Sequence, residues 1–185
     1  MQDLNGTEYK ALRATIRERG TLRVCAILIG LVAWAVLALG LLATDLAGAA
    51  TMVPYVVLAA SFEISFFIHT GVERVGRYIQ VFYEEAENAA GWETMAMNYG
   101  RSFPGGLDPL FVTLFACAAT VNFMTAFTLT TRRPGWMVIS FLAHLAFGWR
   151  LVTARRLAAS QRATDLERFR QLKGQPKDER PSTID

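Results

Sequence analysis

Glu63 sits in Ser61-Phe62-Glu63-Ile64-Ser65, near the midpoint of an apolar run long enough to cross a bilayer. An ionised carboxylate at that depth costs about 2.5–3.5 kcal/mol even on lenient insertion scales, so it must be protonated, paired, or turned towards a hydrated interior. Two further apolar runs carry polar groups at their own midpoints. His144 has Ser140 one turn before it on the same face, and Asn122 has Thr125 three residues on. Counting depth at 1.5 Å per helical residue places these groups within about one turn of each other. The sequence therefore predicts a central polar cluster of Glu63, Asn122, Thr125, Ser140 and His144. A carboxylate and an imidazole held together in low dielectric can exchange a proton, which is the chemistry of a transport relay. The same groups can equally form a hydrogen-bonded clasp that fixes helix packing, at about 0.6–2 kcal/mol per contact.

A second constellation follows where the run containing Glu63 ends. At about 100° per residue, Ser65, His69, Glu73, Arg77, Gln80, Glu84 and Glu87 fall in one stripe, while Ile68, Val72, Val75, Ile79 and Phe82 fall on another face. His69 with Glu73, and Glu73 with Arg77, are four apart and can pair directly. This polar seam could line a wet entrance, dock a partner, or simply be the face that a helix shows to water. His69 and Glu73 have the spacing of two metal ligands on one face, but the local sequence supplies no third ligand and the chain has only two histidines. For haem, His69 and His144 would differ in depth by about 9 Å, which is awkward for axial ligands of one iron. No metal and no cofactor is predicted. A nucleophile elbow, a phosphate-binding glycine loop and the histidine clusters of membrane di-iron enzymes are all missing, so no catalytic residue is assigned and a non-enzyme is favoured.

The elements that must position these groups follow from composition. Apolar residues make up 52% of the 185, yet 19 Lys and Arg are present, so the apolar residues are gathered into blocks. Four blocks are expected to span the bilayer, at about 23–44, 54–71, 109–130 and 136–152, giving an all-α bundle of four transmembrane helices over 23–153. Modest flanks leave no room for a separate soluble domain. Residues 1–22 read as an amphipathic surface helix or a solvated lead-in, with Tyr9, Leu12 and Ile16 at helical spacing. Ala47-Gly48-Ala49 loosely resembles a signal cleavage site, but the preceding apolar run is too long for a signal core, so span one is read as retained.

Pro54 suits the first turn of span two, and no breaker follows until well past Gly71, so that span should continue beyond the membrane as one long helix. A connector over 72–108 includes Trp92, Met95, Met97 and Tyr99, a mix suited to an interface, and ends at Pro104-Gly105-Gly106. Asp108-Pro109 is a helix start signal for span three, and Pro134-Gly135 turns the chain into span four. Residues 154–185 read as a charged helix to Lys173 and then a disordered tail containing Pro176 and Pro181. Arg155, Arg156 and Arg162 are candidate contacts for lipid headgroups, and Arg150, at the span edge, should snorkel to them. Cys25 and Cys117 fall in apolar stretches with no ligand or redox spacing.

Seventeen of the nineteen basic residues lie before span one, between spans two and three, or from Arg150 onward, and only Arg132 and Arg133 lie elsewhere. The positive-inside rule thus assigns both termini and the connector, including the extension of span two, to the cytoplasm, as suits a bacterial inner membrane. A net charge of +3 follows from that topology and gives no argument for nucleic acid. The expected partners are the lipid bilayer and either another membrane protein or further copies of the chain. The expected role is an accessory or scaffold subunit of a membrane complex. The alternative is a proton-coupled or small-solute transporter or channel subunit working through Glu63 and His144.

Overall fold

The computed structural model describes residues 2–44, 46–85, 91–102 and 111–175, and all regular structure among them is helical. Helix α1 covers Gln2–Thr44, a 3-10 turn covers Gly48–Thr51, and α2 covers Met52–Ile79 and passes into a π-helical turn at Gln80–Glu84. Helix α3 covers Trp92–Ser102, α4 covers Val112–Thr130 and α5 covers Pro134–Gly174. Four helical stretches, containing α1, α2, α4 and α5, are long and apolar enough to cross a membrane. The Pro104-Gly105-Gly106 and Asp108-Pro109 signals, Glu87, and the tail with Pro176 and Pro181 lie outside the described residues. The connection between α1 and α2 is tight because Gly48 takes φ +77°, a left-handed turn that side chains resist, and Thr51 Oγ1 donates to Gly48 O.

The chain divides into two compact units, and α1, α2 and α5 each contribute a stretch to both. The apolar unit contains residues 21–68 and 108–156. Its core is aromatic: the Phe62 ring meets Phe115 edge-on at 5.2 Å and Phe147 edge-on at 5.8 Å, with Leu58 fully enclosed beside them. Gly30 of α1 seats against Ser61 of α2 so closely that any side chain there would collide with it, the close approach that small residues permit between apolar helices.

The polar unit contains residues 1–20, 69–107 and 157–185. Linear counting left no space for such a unit, because no single flank is long enough to form one. Three flanks distant in sequence pool their helices instead. Tyr78, Phe82 and Phe169 form its aromatic centre, with centroids 4.6 to 6.3 Å apart, and Tyr9 of α1 packs on Tyr83 at 5.4 Å. The N-terminal segment, expected as a surface helix or a lead-in to span one, is continuous with the rest of α1, and its Tyr9 meets the π-helical turn. Within the apolar unit α2 and α5 pair at sequence offsets of 88 and 87, Tyr55 to Ala143 and Glu63 to Arg150. Within the polar unit the offsets are 89 and 91, Glu73 to Arg162 and Arg74 to Asp165. A near-constant offset of this kind is the mark of parallel neighbours.

Candidate functional site

In the apolar unit, Asn122, His144 and Ser140 meet as the sequence suggests, joined by a residue it did not nominate, Trp34. Trp34 Nε1 donates to Asn122 Oδ1 at 3.0 Å, and Asn122 Nδ2 lies 3.1 Å from His144 Nε2. His144 Nδ1 lies 2.7 Å from the Ser140 carbonyl oxygen, one turn earlier on the same helix. The direction of this chain follows from valence alone. An indole N–H is only a donor, so it fixes the Asn122 carbonyl towards Trp34 and turns the amide NH2 to the imidazole. His144 Nε2 must then accept, and Nδ1 carries the proton that it donates to Ser140 O. Every group is satisfied by a neutral imidazole in one tautomer. A second proton on Nε2 would set two donors face to face. The ring is also enclosed by Tyr55 at 4.8 Å and Phe123 at 5.3 Å, while Tyr55 Oη donates to Ala143 O at 2.9 Å. Nothing in the sequence spacing of Tyr55 or Trp34 marks either of them as a partner of His144.

Glu63 and Thr125 stand apart from this chain. Thr125 Oγ1 donates to Val121 O of its own helix at 3.1 Å. Glu63 is held by Arg150, whose Nε and Nη2 each approach one carboxylate oxygen at 2.8 Å, the two-pronged geometry that a planar guanidinium makes with a carboxylate. The Arg150 guanidinium also lies over the Phe66 ring at 4.4 Å and the Phe62 ring at 5.6 Å. Arg150 is thus turned to Glu63 rather than extended to headgroups, because a half-exposed counter-charge lies at its own depth. Along α5, Arg150 follows His144 by six residues, about 9 Å. The predicted single cluster is therefore two separate polar features, a neutral hydrogen-bond chain and an ion pair.

The seam of α2 is turned inward in the polar unit. His69, Arg77, Gln80 and Glu84 are all buried, and each of them, like Glu73, has a partner within the chain. Glu73 receives Arg162 of α5 and lies 3.6 Å from His69. Arg77 donates to Gln80 Oε1 at 2.5 Å and to Glu93 of α3 at 3.4 Å, while Arg13 of α1 reaches the other Glu93 oxygen at 2.7 Å. Burial pulls the Arg77 guanidinium below the usual arginine range, and Glu93 opposes that shift. Glu84 accepts from the backbone N–H of Glu93 and Thr94, each at 2.8 Å, and from Thr94 Oγ1 at 2.7 Å. It thereby caps the free N–H groups that open α3. Burial pushes the Glu84 carboxyl up, but these three donors, with Arg13 nearby, hold it below the ordinary carboxylate value. The π turn at Gln80–Glu84 inserts an extra residue in the helix and turns Gln80, Val81 and Glu84 together into the interior.

Three guanidinium groups, Arg13, Arg77 and Arg162, thus face three carboxylates, Glu73, Glu84 and Glu93, drawn from four helices. Sequence periodicity found the α2 half of this network and could not find Arg13, Glu93 or Thr94, which come from elements without a matching pattern. Of the predicted headgroup contacts, Arg162 is half-buried and engaged with Glu73, whereas Arg155 and Arg156 are exposed. Among the described residues no group of three or more His, Cys, Asp or Glu side chains is placed to hold a metal ion. Helix α3, fixed on one side by Glu93 and Met97, presents Trp92, Met95 and Tyr99 outward at spacings of three and four, with 70%, 55% and 59% of their surface exposed. Comparison with protein-family models, with curated proteins and with solved structures finds no match to this chain.

Proposed function

We propose that this chain is a small polytopic membrane protein that serves as an accessory or scaffold subunit. Its four spans lie in a bacterial inner membrane, and its polar unit, with both termini, lies in the cytoplasm, where the basic flanks belong. The observation that carries the role is the closed state of its polar groups. The hydrogen-bond chain through His144 is complete with a neutral ring, and Glu63 is neutralised by Arg150 about 9 Å away along α5, so neither group is poised to hand a proton to the other. The buried charges of the seam tie α1, α2, α3 and α5 together rather than lining an opening. What this frame holds outward is the Trp92, Met95 and Tyr99 face of α3, and large aromatic side chains on a rigid helix are the usual anchors of a protein contact.

The partner that suits this face is an apolar helix or groove on the cytoplasmic side of another membrane protein. A photo-crosslinking residue at Met95, read out in native membranes by mass spectrometry, should capture one distinct chain, and Trp92→Glu should abolish that capture while leaving the protein inserted. Proton flux in liposomes containing the purified protein alone, lost in both Glu63→Gln and His144→Ala, would overturn the reading in favour of the transport alternative.

A further inference from the structure

Within the apolar unit, the outward residues of α2 are Val53, Val56, Ala60, Glu63 and Phe67, with Ile64 beside them. Their spacings alternate three, four, three, four, which is the seam along which one helix packs on another. Four of these five positions are apolar, and Ala60 is small enough to let a second backbone approach. The fifth is half of the Glu63–Arg150 pair, whose side chains are 49% and 27% exposed. The pair lies at the edge of span four and is only partly covered within its own chain, so it stands as a charged feature left open on an otherwise apolar face.

We infer that this face is the contact between two copies of the chain, related by a two-fold axis along the membrane normal, with the two Glu63–Arg150 pairs set against each other. The inference rests on the membrane reading given above. The choice of a second copy follows from charge. A two-fold contact places the same patch on both sides, so a charged patch is self-complementary only when it carries both signs. Glu63 and Arg150 bond directly and so lie at one depth, and a two-fold axis along the normal preserves that depth in the partner. Each carboxylate then meets the other copy's guanidinium, closing a ring of four alternating charges. The carboxylate oxygens can accept further donors beyond the two from their own Arg150. A single helix from an unrelated chain would need its own matched pair at the same level.

The experiment uses full-length chains in their own membranes. Phe67→Cys, in a background with Cys25→Ala and Cys117→Ala, should give a dimer-sized band on oxidation. Glu63→Arg and Arg150→Glu chains carrying different tags should each fail to self-associate, because each copy then carries charges of one sign at these two positions. Co-expressed, they should recover wild-type co-purification, since the mixed dimer restores opposite charges across the axis. Pairing confined to one copy gives no such recovery, whether or not either variant folds well alone. Alkaline carbonate washing separates the two levels of the reasoning. A chain that stays in the membrane, gives no Phe67→Cys band and shows no rescue overturns the dimer and leaves the membrane reading intact, with lipid covering the face. A chain that washes out overturns both.

Discussion

Glu93→Gln removes one carboxylate from the centre of the polar unit. Its side chain is 12% exposed and is shared by Arg13 and Arg77, the first 28% exposed and the second 6%. The contact with Arg13 is partly wet, and losing it should cost no more than about 1 kcal/mol. Arg77 is different, because it is left charged in the interior without its nearest counter-charge. Removing one member of a buried pair typically costs about 3–5 kcal/mol. Arg77 keeps its 2.5 Å bond to Gln80, and Glu73 and Glu84 still attract it, so the lower end applies. A loss of about 3 kcal/mol corresponds to roughly a hundredfold in the opening equilibrium. Hydrogen exchange by mass spectrometry on detergent-solubilised protein reads that equilibrium locally. Protection over residues 93–102 should fall about a hundredfold, while α4 and the apolar stretch of α1 keep theirs. Arg74→Ala is the control, since Arg74 is 61% exposed and its pair with Asp165 should contribute less than about 1 kcal/mol. A change of less than a fewfold in α3 for Glu93→Gln would mean that the buried charges do not hold α3 in place, and that the Glu84 cap suffices alone.

Other outcomes are expected at single positions. Because the Glu84 carboxyl titrates below the ordinary carboxylate value, the stability it contributes is fully present above about pH 4.5 and is lost as pH falls through its depressed value. Protection of α3 should therefore decline at acid pH in the parent, and Glu84→Gln should remove this contribution to the decline while lowering protection at neutral pH. Asn122→Leu breaks both ends of the Trp34–Asn122–His144 chain and should cost about 1–3 kcal/mol, seen as a lower thermal midpoint in detergent. Gly30→Ala sets a new methyl group into Ser61 and should destabilise by about 1–3 kcal/mol, and Ser61→Gly in the same chain should recover most of that midpoint.

The four apolar blocks and the continuation of α2 past Gly71 were legible because hydrophobic length and the lack of helix breakers are local properties of the chain. Of the expected span over 109–130, residues 109 and 110 lie outside the described residues, and α4 opens at Val112 with Phe111 at φ 53° before it. The polar unit was illegible for a physical reason. Its pieces are separated by intervening stretches of 48 and 49 residues, and each alone looks like a solvated flank. The α2 seam looked like a face for water because an amphipathic pattern specifies which residues share a side, and says nothing of what that side meets. Buried charge imitates exposed charge when the counter-charges lie on other helices.

The same blindness explains the split of the central cluster. Depth counted from helix ends treats spans two and four as starting level, which brings Glu63 to the height of His144. The observed register pairs Tyr55 with Ala143 and Glu63 with Arg150, so His144 lies opposite the first turns of α2 and Glu63 opposite the edge of span four. An error of about six residues, roughly 9 Å, turns an imagined proton couple into two independent features with opposite chemistry. One is neutral, directional and enclosed, as suits a clasp. The other is charged, balanced and half exposed on an apolar face, as suits a contact with a second surface.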